Sequence, residues 1–516
     1  MASTGRPSEA TRLLDPASPP NPPSPTSSRA KGPSPWKAIL SAAAVYLLLS
    51  IGSHISLAPQ TAILEDIICR QYYAGHVDSG SATPANDGCK IDAVQSEVAS
   101  INGWRDVFET LPAMLLAVPY GTLADRAGRK TVLLLSIVGY FMTDVWIRLV
   151  YWFPGFFPVR AVWFAGLWQV IGGGTLSSVA FVMVADWLTP VIRTTAFSQI
   201  QSASLVSQFI FVPVGAVLMP LSPWIPMFLS SGIMIAGFLF AVVFVPETLP
   251  SAGADSNIRH DDAAADASKG SAFSRIQEHL GRFSELGRWM ARNAKVVLAL
   301  SCFYPLNLGE QCGGPLLLQY TSKRLGWSLG QASYLLSLRA GVNLVVLAVL
   351  IPAISSILLR RLQVQEIVKD QFLAQASSLL LALGSGTIFL ARSWPPLLCG
   401  QLLFSLGFAF AVPARSLVTS MVEQKHLGAV YTTIAVLTYA GVLTGRPLLA
   451  RAFQWGLELG EAWMGMPFLI ASGCFVLALL AVTSAATRNG GQGHEYENVA
   501  NEVHDESHER GGQTSR

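Results

Sequence analysis

The chain has 516 residues, 51% of them hydrophobic and only 13% charged, with a formal net charge of +3. A water-soluble chain carries about a quarter charged residues, so this composition points to lipid as the solvent. Positive charge is spread between apolar runs and not gathered in one patch, which excludes nucleic acid as a partner. The six cysteines form no CxxC pair or Cys/His cluster, and no GxxxxGK[ST] loop occurs. Neither a metal, another cofactor nor enzyme activity is therefore expected.

Residues 1–35 are rich in Pro, Ser and Ala and read as a disordered cytoplasmic tail. They lack a signal-peptide pattern, so the first apolar segment is expected to act as an uncleaved anchor. Glu9-Ala-Thr-Arg-Leu13-Leu14 is similar to an acidic dileucine signal for vacuoles or lysosomes; chance recurrence of so short a pattern is the other reading.

With roughly 20 apolar residues needed per crossing, about twelve segments are long enough to span a bilayer. They are 36–58, 99–120, 131–153, 160–188, 194–220 and 223–245, then 296–320, 329–359, 371–391, 394–422, 428–453 and 464–486. The expected fold is an all-α integral membrane protein whose twelve transmembrane helices form two six-helix bundles, 36–246 and 296–486. A cytoplasmic linker, 247–295, joins them, and 487–516 is a second disordered cytoplasmic tail. Within the linker, Phe273, Ile276, Leu280, Phe283 and Leu286 fall at helical spacing among arginines, the pattern of an amphipathic helix on a membrane surface. Lys and Arg are in excess in the loops on one side, which places both termini in the cytoplasm. The loop 60–98 then lies outside, where Cys69 and Cys89 either pair or stand as two unrelated thiols.

Between the second and third segments runs Gly121-Thr-Leu-Ala-Asp125-Arg126-Ala-Gly128-Arg129-Lys130. Gly121 and Gly128 give the backbone freedom for a short turn. Asp125 precedes the next helix, whose N-terminus favours a carboxylate. Arg126, Arg129 and Lys130 mark a cytoplasmic edge. The run resembles the G-x-L-a-D-r-x-G-r-k signature of the major facilitator superfamily. In that family the loop locks the two halves on the cytoplasmic side in the outward-open state, a role the resemblance implies here for Asp125 and Arg129. Asp186-Trp-Leu-Thr-Pro190-Val-Ile-Arg193 and Pro246-Glu247-Thr248 resemble two further family turns. The stretches 320–328 and Ser337-Leu-Arg339-Ala are similar to a filamentous-fungal subgroup, several of whose members are called efflux pumps. Two departures stand out. Trp168-Gln-Val-Ile-Gly172 has tryptophan where proton-coupled members have arginine, and Phe211-Val-Pro213-Val-Gly215 is only a remnant of the antiporter motif.

Ionisable groups inside a bilayer are functional candidates by default. Arg105, Asp106 and Glu109 sit near the outer end of the second segment, where snorkelling is the plain reading. Asp144 and Arg148, four apart, suit an ion pair, structural or substrate-facing. Glu310 and Gln311 lie beside Cys312-Gly313-Gly314-Pro315, which can break the seventh segment. Arg339 and Arg415 are the cations that could answer Glu310, and Asn343, Gln199, Gln201, Gln208, Trp168 and Gln169 fill out a polar and aromatic cavity.

The reading is a secondary transporter that moves a small organic molecule by alternating access and works as a monomer in the plasma or vacuolar membrane. Efflux of a metabolite or toxic compound leads. Proton-coupled nutrient uptake and a transporter-like nutrient sensor are the alternatives.

Overall fold

The computed structural model describes residues 35–76, 86–173, 183, 190–247, 293–422 and 427–487. The dileucine pattern, the amphipathic linker stretch, Asp186 and the C-terminal tail lie outside the described residues.

The described elements are all helical. The first half comprises α1 (Pro35–His76), α2 (Asp92–Ala127), α3 (Arg129–Trp152), a 3-10 turn (Val159–Phe164) leading into α4 (Ala165–Gly172), α5 (Pro190–Leu218) and α6 (Trp224–Phe244). The second half begins with a segment in three pieces, α7 (Ala294–Ser301), α8 (Phe303–Glu310) and α9 (Pro315–Leu325). It continues through α10 (Leu329–Val345), α11 (Ile351–Arg360), α12 (Glu366–Leu390), α13 (Trp394–Leu406), α14 (Ala411–Ser420), α15 (Leu427–Glu458) and α16 (Met466–Thr487).

Two expectations need correction. The first helix does not stop near residue 58: α1 has 42 residues and passes through Pro59. At about 1.5 Å per residue it is about twice as long as the roughly 30 Å hydrocarbon core. Its last third holds because Ile63, Leu64, Ile67 and Ile68 keep helical spacing and pack into a buried cluster with Val94, Val98 and Ile101 of α2. The charges at Glu65, Asp66 and Arg70 disguised this stretch as loop; Asp66 and Arg70 pair at i,i+4, 2.8 Å apart. The second correction concerns Gly121, which stays within α2. The turn into α3 is made by Gly128 alone, at φ +98°.

Among the described residues, nine helical spans are long and apolar enough to cross a membrane. Three of the twelve expected segments are not among them, for physical reasons. Helix α2 carries Arg105, Asp106 and Glu109 mid-length, the fourth segment runs beyond the described residues, and the seventh is broken around Gln311–Gly313.

Among the described residues, apolar packing is heaviest in the second half, where Phe303, Tyr320, Phe404, Phe453, Phe468 and Phe475 are fully buried. The halves meet along two seams, α2 against α15 and α5 against α10. Backbones approach closely there: a Cβ on Gly103 would lie 2.9 Å from that of Ala450, and one on Gly341 2.9 Å from the Phe209 ring. Contact on α2 is concentrated toward its start, where Ser96 accepts from Gln454 at 3.0 Å. Toward its end Leu115 is 65% exposed and Gly121 faces open space. Among the described residues, the halves therefore close at the end remote from the Gly128 turn and part near it.

Candidate functional site

Where the halves close, they line a cavity of about 130 Å³. Helix α2 supplies Asn102, Gly103 and Asp106; the broken segment supplies Glu310, Gln311 and Gln319; α10 supplies Arg339 and α15 supplies Arg446. The break follows from the sequence. Gln311–Gly313 winds as a 3-10 turn, Gly314 takes a non-helical conformation, and Pro315 starts α9 where a missing N–H is harmless.

A charged network forms the wall. The Arg446 guanidinium pairs with Asp106 Oδ2, and its Nε donates to Gln311 Oε1 at 2.9 Å. Gln311 Nε2 in turn donates to the Asn307 carbonyl at 2.9 Å. On α2, Arg105 pairs with Asp106 Oδ1 at 3.0 Å and reaches Glu109 at 3.5 Å. Arg105 and Asp106 are 7% and 8% exposed, so the snorkelling reading is replaced by a buried network. Such charges persist in low dielectric when each faces an opposite charge.

Of the residues singled out from sequence, Glu310, Gln311 and Arg339 come together at the cavity. Arg339 Nη1 donates to the Gly313 carbonyl at 2.6 Å, and its guanidinium carbon lies 5.0 Å from the Phe404 ring centre. Glu310 and Arg339 attract one another, but among the described residues no direct ion pair joins them. Arg415 also attracts Glu310, yet it is exposed on α14 and does not line the cavity. Asn343 is buried beside the cavity wall, its amide nitrogen oriented to donate to the carbonyls of Ser405 and Arg339 at 3.1 Å each. Asp144 and Arg148 form their ion pair elsewhere and tie α3 to α6: Arg148 donates to the Met227 carbonyl at 2.6 Å and Ser231 to Asp144 at 3.3 Å. Trp168 packs on Trp146, with ring centroids 6.1 Å apart, and Gln199 and Gln201 are exposed.

Sequence reasoning missed Arg446, Asn102 and Gln319. A lone arginine inside TYAGVLTGRPLLA was signal enough for the first. The two amides are 5% and 1% exposed, and neither has a hydrogen-bond partner among the described residues. Buried unpartnered amides in a cavity wall are groups that a ligand or water would satisfy.

At the other end, the Gly128 turn is held by a carboxylate from far along the chain. Glu247 Oε1 accepts the Arg129 N–H at 2.9 Å and Oε2 accepts the Lys130 N–H at 3.2 Å. The carboxylate at the N-terminus of α3 is thus Glu247, while Asp125 lies in the last turn of α2. Arg126, in that same last turn, suits the negative pole of α2. Lys130 Nζ donates to the Val242 carbonyl at 2.8 Å.

On the closed side a disulfide joins Cys69 to Cys89. The next residue, Lys90, reaches Glu65 at 2.7 Å and crosses to Ser322 of the second half at 2.6 Å. Lys323 completes the contact by pairing with Asp92 at 2.9 Å.

Comparison with known proteins gives a consistent result. Residues 98–367 match the model of the family described as Major Facilitator Superfamily. The efflux pump ustT of Aspergillus flavus is 42% identical over 452 residues, covering 86% of this chain and 87% of that protein. The MFS efflux pump atnC of Emericella nidulans is 32% identical over 450 residues, covering 84% and 85%. Among solved structures, the inward-open xylose transporter XylE of E. coli superposes with a TM-score of 0.59 at 14% identity, over 88% of this chain and 96% of that one. The human organic anion transporter MFSD10 (TETRAN) gives 0.53 at 18% identity, over 87% and 100%. At these identities the solved structures show a shared fold.

Proposed function

The chain belongs to the major facilitator superfamily, and from that premise we propose that it exports a small organic metabolite or toxic compound by alternating access. It is a multi-pass membrane transporter of a small-molecule substrate, and not an enzyme. The observation that carries the proposal is the cavity at the seam of the halves, with polar walls from α2, α9, α10 and α15, closed at one end and parted toward the Gly128 turn. Such a seam is where transporters of this architecture bind substrate. Export is supported by the efflux pumps to which the chain is similar over most of its length.

The finer architecture belongs to the same proposal: twelve spans in two bundles, 36–246 and 296–486, both termini and the linker in the cytoplasm. The monomer suffices, since each half contributes wall residues to one cavity. Glu310, Gln311 and Arg339 are substrate-facing, joined by Asn102 and Gln319. Asp125 and Arg129 take part in cytoplasmic gating. The membrane is plasma or vacuolar.

The test is accumulation of a panel of labelled or fluorescent compounds in cells with and without the protein, with Asp125→Asn as control. Export predicts lower accumulation with the intact chain and loss of that effect in the control. Higher accumulation would overturn it in favour of nutrient uptake, which the balanced charges Asp106, Glu310, Arg339 and Arg446 would also suit. Signalling that survives in a transport-dead variant would favour a nutrient sensor.

A further inference from the structure

We propose that Lys90, carried on a turn that the Cys69–Cys89 disulfide fastens to α1, is the bar of a clasp that holds the closed end shut, and that loss of the disulfide releases it. The inference rests on the alternating-access reading but not on the direction of transport or the substrate.

Lys90 is gripped twice by the second half. Its ammonium group pairs with Glu65 of α1 at 2.7 Å and donates to the Ser322 hydroxyl of α9 at 2.6 Å. Its backbone carbonyl accepts from the Lys323 ammonium group, which also pairs with Asp92 of α2 at 2.9 Å. Two adjacent residues of one half thus hold a single residue of the other, one by its side chain and one by its backbone. Ser322 is oriented for this task. Its own proton goes to the Trp327 carbonyl at 2.6 Å, which leaves the oxygen lone pairs for Lys90.

Such a bar works only if its backbone does not yield. Lys90 ends the short 3-10 turn Asn86–Lys90, and one turn of helix does not hold itself in place. Three fasteners of the first half fix it. The disulfide ties the preceding residue to α1, the Tyr73 hydroxyl donates to the Gly88 carbonyl at 2.9 Å, and the Gln95 amide donates to the Cys89 carbonyl at 3.3 Å. Of the three, the disulfide is the covalent one, and it lands on the stretch of α1 that is buried against α2. Cys69 and Cys89 therefore act on the second half through Lys90, as the mounting of the bar.

The clasp is also built to open. When the second half withdraws, Lys90 keeps Glu65, which accepts in addition from Gln95 at 3.0 Å. The Asp92 side chain is 63% exposed and passes to water, and Ser322 keeps the Trp327 carbonyl. Release leaves no buried charge without a partner on the first half, so the heavy cost of stranding one is avoided. What is lost is the set of charge-assisted contacts across the seam, each strong enough to shift a two-state population. The clasp therefore favours the state in which the cavity opens toward the Gly128 turn.

The experiment reads the seam directly and needs no substrate. Full-length protein in lipid nanodiscs carries maleimide-linked nitroxides at G155C and S393C, exposed loop positions of the two halves at the closed end that do not belong to the clasp. Cys302, Cys312, Cys399 and Cys474 are replaced by serine. The distance distribution gives the ratio of open to closed seam. Lys90→Met is expected to raise that ratio roughly tenfold, the weight of one hydrogen bond to a charged group. Cys69→Ser with Cys89→Ser should raise it by a similar factor, and the three changes together no further, because the disulfide acts through Lys90. Asp66→Asn, which removes a carboxylate of the same α1 stretch that pairs with Arg70 instead, leaves the ratio unchanged. If the chain without the disulfide fails to fold, a phosphine cleaves it in the folded protein, and thioether-linked fluorophores at the same two sites report the ratio. A seam that stays closed in Lys90→Met would overturn the proposal. So would loss of the disulfide that opens the seam as far in Lys90→Met as in the unaltered chain, since a merely stabilising cross-link would act in both. Whether the protein exports is decided separately by the accumulation assay.

Discussion

At Gly128 two demands meet in one residue. Its φ of +98° with ψ of 145° lies in a region kept for glycine, and a Cβ there would collide with the Glu247 carboxylate. Gly128→Ala is expected to cost roughly 1–3 kcal/mol for the backbone alone. Glu247→Ala should cost about 1 kcal/mol, the usual value of a helix N-terminal cap. The two together should cost less than their sum, because they act on one contact. Thermal unfolding of the purified variants checks both the losses and their non-additivity. The glycine and its basic neighbours were legible in the sequence. The cap was not, since Glu247 is 118 residues further on and nothing local points to it. Arg446 was legible by the rule that finds Glu310, but its partner Asp106 looked surface-bound because α2 begins at Asp92, ahead of the apolar run.

At the scale of elements, the broken seventh segment was readable, because glycines and a proline in an apolar run leave the backbone little choice. The length of α1 was not, because burial against α2 overrides the charges that marked 60–76 as loop. The disulfide fastens that extension. Cys69→Ser should lower stability by about 2–4 kcal/mol, and Cys69→Ser with Cys89→Ser no further, since either removes the same cross-link. Unfolding with and without reductant is the measurement, with reductant reproducing the variant in the unaltered chain. Across the break, the Gly313 position is filled by the Arg339 guanidinium, leaving no room for a methyl group. Gly313→Ala should displace Arg339 and reduce transport by roughly tenfold, equivalent to about 1.4 kcal/mol of lost interaction. Equal surface expression of the two proteins would separate this effect from misfolding.

On the scale of the whole molecule, the expectation of two parts came from six apolar segments on either side of a long linker; the way α2 and α15 meet was not legible, since their residues come together only on folding. The tight seam makes a further prediction. Gly103→Val places branched bulk against Ala450 and should prop the closed end open, read as a longer distance between nitroxide labels placed at A93C and A462C. An unchanged distance would mean that the seam absorbs the added volume. The Glu247 cap also reaches beyond the turn it holds. From this residue the chain sets out toward the second half, and in the same place it grips the backbone of Arg129 and Lys130. A displacement of the backbone at Glu247 would therefore be felt at the start of α3 through those two hydrogen bonds.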